Sequence, residues 1–232
     1  MDETELVRQR YARRKQIDEA SLYNPLLPSV YPLLQERERA LIRWIRTCGI
    51  APVQNRRVLE IGCGDGSNLL ELIALGFRPE HLVGNELLEE RAALARHRLP
   101  AATQVLVGDA SQLVCQDATF DIVYQSTVFT SLLDGAFQHK LARRMWALAK
   151  PGGGILWYDF LYNNPRNPDV RGVPIRRIQE LFPEGKLRTW RLTLAPPISR
   201  YVTSLHPSLY ALCNALPFLR THVLCWIHKE VS

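Results

Sequence analysis

The sequence predicts an α/β protein built on a mostly parallel sheet with helices on both faces. Three observations carry this. From Arg56 onward, short apolar runs alternate with helical stretches, the pattern of parallel strands joined by crossover helices. The first apolar run ends directly in a cluster of glycines. The last third closes on two further apolar runs, separated by a proline turn and a helical stretch.

Taken in order, residues 3–20 read as a polar helix. The segment 23–32, YNPLLPSVYP, holds three prolines and reads as a loop or extended stretch. Residues 33–48 form a second predicted helix, with Leu33, Leu34, Leu41, Trp44 and Ile45 as its apolar face. GIAPVQN is a turn-rich connector. Five strands follow, at 56–61, 81–86, 103–109, 120–125 and 155–160, the last entered through a PGGG turn. Helices are expected near 67–75, 87–97 and 135–149. In the last third, NNPRNPDVRGVP is an ordered loop or lid, and 175–182 a short helix. The runs 187–194 and 221–229 are strand-like and suited to antiparallel pairing at the sheet edge. Between them lie a proline turn at 195–198 and a helical stretch near 204–216.

The totals set bounds. At 232 residues the chain suits one domain with attached segments. Hydrophobic residues at 47% and charged residues at 22% exclude disorder, collagen and coiled coil. Twenty-nine basic against 23 acidic side chains give a net charge of +6, which suits an anionic ligand as well as an ordinary basic protein. The five cysteines are odd in number and form no C-x-x-C pair, so reduced thiols are expected rather than disulfides or a metal site. The N-terminus carries no apolar signal core, and Pro207 and Pro217 interrupt the most apolar late stretch. A soluble cytoplasmic protein without a transmembrane segment is the expectation.

The strongest local signal is the run from Val58 to Asn68, VLEIGCGDGSN. Gly62, Gly64 and Gly66 permit a tight turn and close approach of a ligand to the backbone. The helix that follows aims its free N–H groups at the same place. Dinucleotide binders space these glycines G-x-G-x-x-G; here the spacing is G-x-G-x-G, preceded by the acidic Glu60. An acid there is poorly matched to a pyrophosphate and well matched to an ammonium group. Glu86 ends the second strand, 20 residues beyond Gly66, where a carboxylate can accept from both hydroxyls of a ribose. Asp109 ends the third strand, placed to accept from an adenine amine, and Gln125 ends the fourth.

With these residues in view, the run 58–160 resembles the class I S-adenosylmethionine (SAM)-dependent methyltransferase core. The resemblance rests on VLEIGCGDG, GNE, GDA, FDIV and KPGGGIL and covers about 100 residues. It implies a Rossmann-like, seven-stranded, mostly parallel sheet with an antiparallel last strand. It implies SAM as cofactor and S-adenosylhomocysteine as its product. Glu60, Gly62, Cys63, Gly64, Gly66 and Asn68 would then cradle the methionine part. Glu86 and Leu87 would hold the ribose, Asp109 and Ala110 would face the adenine, and Gln125 would line the site. The chain divides accordingly into a helical cap or lid (1–54), the SAM-binding core (55–160), and a C-terminal substrate loop, helix and strand pair (161–232).

Methyl transfer to oxygen usually needs a base. Asp159, at the end of the fifth strand, is the first candidate and His139 the second, with His206 and His222 dependent on how the last third folds. The loop after that strand offers Tyr162, Asn163, Asn164, Arg166 and Arg171, directional donors suited to a phosphorylated or polyhydroxylated small molecule. Tyr23 and Tyr31 could close over the ligand from the N-terminal side. This last third is similar to bacterial methyltransferases that accompany glycan and lipid-linked saccharide biosynthesis, which implies O-methylation of a saccharide or related product. N- or C-methylation of a lipid or other metabolite is the alternative. A nicotinamide oxidoreductase fits less well because of the glycine spacing and Glu60. A nucleic-acid amino-methyltransferase is disfavoured by YQST at the end of strand four, where an N/D-P-P-Y/F tetrad would be needed. A ligand-free scaffold has no use for the glycine loop and Glu86. The apolar stretch with Leu205, Leu209, Leu212, Leu216 and Phe218 is a candidate substrate cover or homodimer face.

Overall fold

A computed structural model describes residues 2–14, 24–164 and 167–231. Among them, helices α1 (Glu3–Arg14) and α2 (Tyr31–Thr47) precede strand β1 (Val58–Ile61). Then come α3 (Ser67–Ala74), β2 (Leu82–Glu86), α4 (Glu89–Arg98), β3 (Gln104–Val107), β4 (Phe120–Ser126), α5 (Gly135–Leu148) and β5 (Ala149–Phe160). The last third contributes α6 (Ile175–Leu181), β6 (Lys186–Leu194), α7 (Pro196–Leu205), α8 (Ser208–Asn214) and β7 (Arg220–His228).

The strands form one seven-stranded sheet in the order β3-β2-β1-β4-β5-β7-β6. Strands β1 to β5 pair in parallel, and β7 runs antiparallel to both β5 and β6. This is the predicted fold class. Parallel strands covered by crossover helices are buried on both faces, and the residues alternate accordingly. Ile155 and Trp157 of β5 point to one face, with Leu141 and Met145 of α5 and Ile178 of α6. Leu156 and Tyr158 point to the other, with Leu41 and Trp44 of α2, Leu69 of α3 and Ala92 of α4. The strand order reverses between β1 and β4, so the loops leaving their carboxyl ends diverge and open a crevice there.

Several boundaries differ from the sequence expectation for local reasons. The PGGG segment lies inside β5 and is not a turn before it. A Cβ at Gly154 would collide with the backbone carbonyl of Ile227, so glycine lets β5 pass close to β7. The prolines at 196 and 197 do not make a turn: they open α7, since proline fits the first helical turn, where its missing N–H costs nothing. The predicted helix near 204–216 is broken at Pro207 into α7 and α8. Of the polar helix expected over 3–20, α1 accounts for residues 3–14, and residues 15–23 lie outside the described residues.

One carboxylate clasps the C-terminal third to α2. Glu36 accepts from the backbone N–H of Thr193 (2.9 Å), the hydroxyl of Tyr210 (2.8 Å) and the amide of Asn214 (2.9 Å). Glu36→Ala leaves three donors without an acceptor and should cost about 2–4 kcal/mol. A denaturant midpoint with unchanged slope would show this; a loss below about 0.5 kcal/mol would mean the clasp is redundant.

Candidate active site

At the carboxyl ends of β1 to β4 lies a half-open cleft with a cavity volume of about 120 Å³. Its wall comes from the strand-end loops and from one side of α1. Gly62, Glu86, Leu87, Asp109 and Ala110 line it, as do Ser126, Thr127 and Val128 beyond β4. Thr4, Val7 and Tyr11 of α1 close it from above.

The glycine loop has the geometry its sequence requires. Gly62 and Gly64 both adopt positive φ, +66° and +59°, where a Cβ is strained. A Cβ at Gly64 would also lie 2.5 Å from the guanidinium of Arg91. The Glu86 carboxylate locks this loop to β2. One oxygen accepts from Gly64 N–H at 2.8 Å and the other from Leu88 N–H at 3.0 Å. Each oxygen keeps a further lone pair for an outside donor such as a ribose hydroxyl. Beneath the loop, Asn68 donates to one oxygen of Glu60 at 2.6 Å. The other Glu60 oxygen is fully buried and has no partner. Burial pushes this carboxyl up to about 8, against the Asn68 hydrogen bond that lowers it.

The remaining predicted cofactor residues fall into supporting positions. Cys63 is buried with its Sγ directed at Gly84. Gly66 begins α3 with a left-handed turn, φ +82°. Asp109 caps the following 3-10 turn, accepting from the N–H and the hydroxyl of Ser111, both at 2.8 Å. Gln125 lies fully buried under the cleft floor and accepts from Val128 N–H at 3.0 Å.

Asp159 does not reach the cleft. It is fully buried and accepts from Thr130 N–H at 3.3 Å and from its neighbour Phe160 N–H at 3.0 Å. Burial pushes its carboxyl up to about 7. These bonds hold the loop after β4 in place, a positioning task set by the inward direction of its strand position. His139 is exposed on α5 and contacts Arg177, away from the cleft. His206 is exposed, and His222 is half-buried, stacked on Tyr158, with desolvation pushing its pKa down to about 4. No histidine lines the cleft among the described residues, and its carboxylates are Glu86 and Asp109.

The described residues of the loop after β5 accept hydrogen bonds from the protein itself and do not line the cleft. Tyr162 takes a hydrogen bond from Arg191, Asn163 accepts from Gly172 N–H, and the Asn164 carbonyl accepts from Asn167 N–H. Arg171 is exposed, and its N–H reaches the Thr130 carbonyl at 2.8 Å. Arg166 and Tyr23 lie outside the described residues, and Tyr31 sits exposed at the start of α2, not on the cleft.

Sequence reasoning missed the role of α1 and Arg91. Buried Glu3 accepts from Arg10 and from Leu133 N–H, both at 2.8 Å, and Arg10 donates to the Ser131 carbonyl. Arg13 pairs with Asp169 at 2.7 Å. The helix is thereby fixed across the loop after β4. Tyr11 presents its ring to Arg91, whose guanidinium lies 5.1 Å from the ring centroid and covers Gly64. Nothing local in the sequence singles out Glu3 and Arg10, because beyond each other their partners Leu133 and Ser131 are more than 120 residues away. Thr127 adopts φ +57° at the cleft wall, a rare conformation for a β-branched residue and one that clusters at functional sites.

Comparison with known proteins agrees with this geometry. The family described as "Methyltransferase domain" matches residues 58–153. A demethylmenaquinone methyltransferase of Clavibacter sepedonicus is 30% identical over 60% of this chain and 54% of its own length. A fatty-acid O-methyltransferase of Mycolicibacterium smegmatis is 33% identical over 49% of this chain and 40% of its own. The chain thus spans about half or less of these curated relatives. The crystal structure of a SAM-dependent methyltransferase from Archaeoglobus fulgidus superposes with a TM-score of 0.57 at 17% identity, covering 82% of this chain and 94% of that one. Residues 58–153, glycine loop included, thus match a methyltransferase domain, and the chain shares its fold with solved SAM-dependent methyltransferases.

Proposed function

We propose that the protein transfers a methyl group from SAM to an apolar small-molecule acceptor. The observation that carries this is the convergence of Gly62, Glu86 and Asp109 on one cleft, above a buried Glu60 with a free oxygen. The residues fit the cofactor part by part. Glu86 retains acceptor capacity for the ribose. Asp109 and Ala110 stand where the adenine would lie. The unpartnered Glu60 oxygen suits the ammonium of the methionine moiety, once Arg91 swings off Gly64. Bound there, SAM supplies a sulfonium methyl group for in-line displacement. The protein's own part is to align the acceptor and exclude water, and α1 covers the cleft for that purpose.

The acceptor side of the cleft is apolar, with Val7, Val128, Leu132, Phe137 and Leu141. No histidine is there to take a proton from a hydroxyl. An acceptor that arrives already ionised, such as a carboxylate on an apolar chain, needs no base. The relatives named for fatty-acid and demethylmenaquinone substrates favour the same class. The loop after β5, on which the saccharide reading rests, does not line the cleft among its described residues. The free cysteines suit a reducing compartment such as the cytoplasm.

Calorimetric titration with SAM, S-adenosylhomocysteine and NADH tests the cofactor. Glu86→Ala should weaken the adenosyl ligands roughly 10- to 100-fold, and preference for NADH would overturn the reading. Glu60 makes a second prediction. In the free protein it is largely protonated below about pH 8. A ligand ammonium favours its ionised form, so binding releases a proton, and affinity should fall as pH drops below 8. Titrations of S-adenosylhomocysteine in buffers of different ionisation enthalpy measure that proton. Glu60→Gln should abolish the release; release that persists in the variant assigns the proton elsewhere.

A further inference from the structure

The connection between β6 and β7 leaves the sheet at the same carboxyl edge as the cleft, because β6 runs parallel to β5 and β7 returns antiparallel. Helices α7 and α8 make up that connection. Their inner side is anchored: Val202 and Tyr210 pack on Leu194, and Ser199 donates to the Ser29 carbonyl at 2.8 Å. Their outer side is apolar and uncovered. Tyr201 and Leu205 of α7, Leu212 of α8, and Leu216 and Phe218 in the turn after α8 are all exposed, Leu212 at 68% and Phe218 at 72%. Large apolar side chains exposed this densely along one connection mark an interaction surface.

The charge around this face identifies what it meets. From Gly185 to Lys229 the chain contains no aspartate or glutamate, while Arg200 lies in α7 and Arg220 begins β7 after α8. Arg200 is exposed, and Arg220 donates only to the carbonyls of Asn214 and Arg191. A second copy of the chain would set like charges against each other. The carboxylate that meets α8, Glu36, is spent on Thr193, Tyr210 and Asn214, and an apolar face with cations beside it matches a bilayer whose headgroups are anionic. No helix among the described residues is long and apolar enough to cross a membrane, so the contact would lie in the plane of the interface.

We propose that the outer face of α7 and α8 docks the protein on an anionic phospholipid bilayer, with Leu212 and Phe218 entering the interface and Arg200 at the headgroups. The docking rests on the methyltransferase reading only for its purpose, which is to present a membrane-borne apolar acceptor at the edge where the cleft opens.

Co-sedimentation with vesicles tests it without cofactor. The wild-type protein should pellet with phosphatidylcholine vesicles containing phosphatidylglycerol, less with phosphatidylcholine alone, and less as salt rises. The double variant Leu212→Asp, Phe218→Asp should lose at least about tenfold in partitioning, and Arg200→Glu should lose the preference for phosphatidylglycerol. All three positions are exposed, so the unfolding midpoints should stay near wild type. Absence of pelleting, or equal pelleting of wild type and the double variant, overturns the proposal. So does a wild-type dimer that the double variant converts to monomer, since a second copy would then cover the face. Calorimetry with S-adenosylhomocysteine on the same proteins separates the two ideas: intact cofactor binding without vesicle binding sinks the docking alone.

Discussion

The cleft depends on the carboxylate of Glu86. Its two oxygens join the backbone of the glycine loop at Gly64 to the start of the turn at Leu88. Without that bridge, neither the left-handed turns at Gly62 and Gly64 nor the entry into α4 would be held at the same edge. The fold supplies the rest of the constraint. Parallel strands end together, and the reversal of order between β1 and β4 parts their loops. Glu86 then spans the ends of β1 and β2 where the crevice opens. A single side chain therefore serves the fold and offers lone pairs to a ligand, which is why one substitution there should affect binding so sharply.

Around this bridge the protein keeps several ionisable groups out of water. Glu60 and Asp159 are fully buried, and burial raises both carboxyls toward neutrality. They differ in what they lack. Asp159 accepts from two backbone N–H groups and steadies the loop after β4. Glu60 has one oxygen bonded to Asn68 and one bonded to nothing. A buried orphaned carboxylate oxygen is unfavourable unless something completes it. A cationic ligand group in the cleft would do so. The α1 helix closes the same region through Glu3, Arg10 and Tyr11, and Arg91 rests on the glycine loop beneath it. For a ligand to reach Gly64, Arg91, stacked on Tyr11, would have to move.

Much of this was legible in the sequence where the determinants are local. The strands and their order of appearance follow from short apolar runs between glycine and proline, and VLEIGCGDG and GNE mark the loop and its locking carboxylate directly. What was not legible depends on distant partners or on side-chain direction. Asp159 and Gln125 sit at strand ends, as expected, but the pleat turns them under the floor and not into the cleft. The amides of the loop after β5 look like ligand donors, but the described part of that loop lies away from the cleft. Pro196 and Pro197 read as a turn, yet proline opens a helix equally well. The placement of α1 over the cleft comes from Glu3 and Arg10 meeting residues 131 and 133, pairings that no window of sequence contains.

The most direct test is a crystal structure of the protein with S-adenosylhomocysteine. The account predicts the ribose hydroxyls on the Glu86 carboxylate, the adenine beside Asp109 and Ala110, the amino group within hydrogen-bond distance of Glu60, and Arg91 displaced from Gly64. Adenosine bound elsewhere, or bound in the cleft with Glu86 making no contact to the ribose, would contradict it.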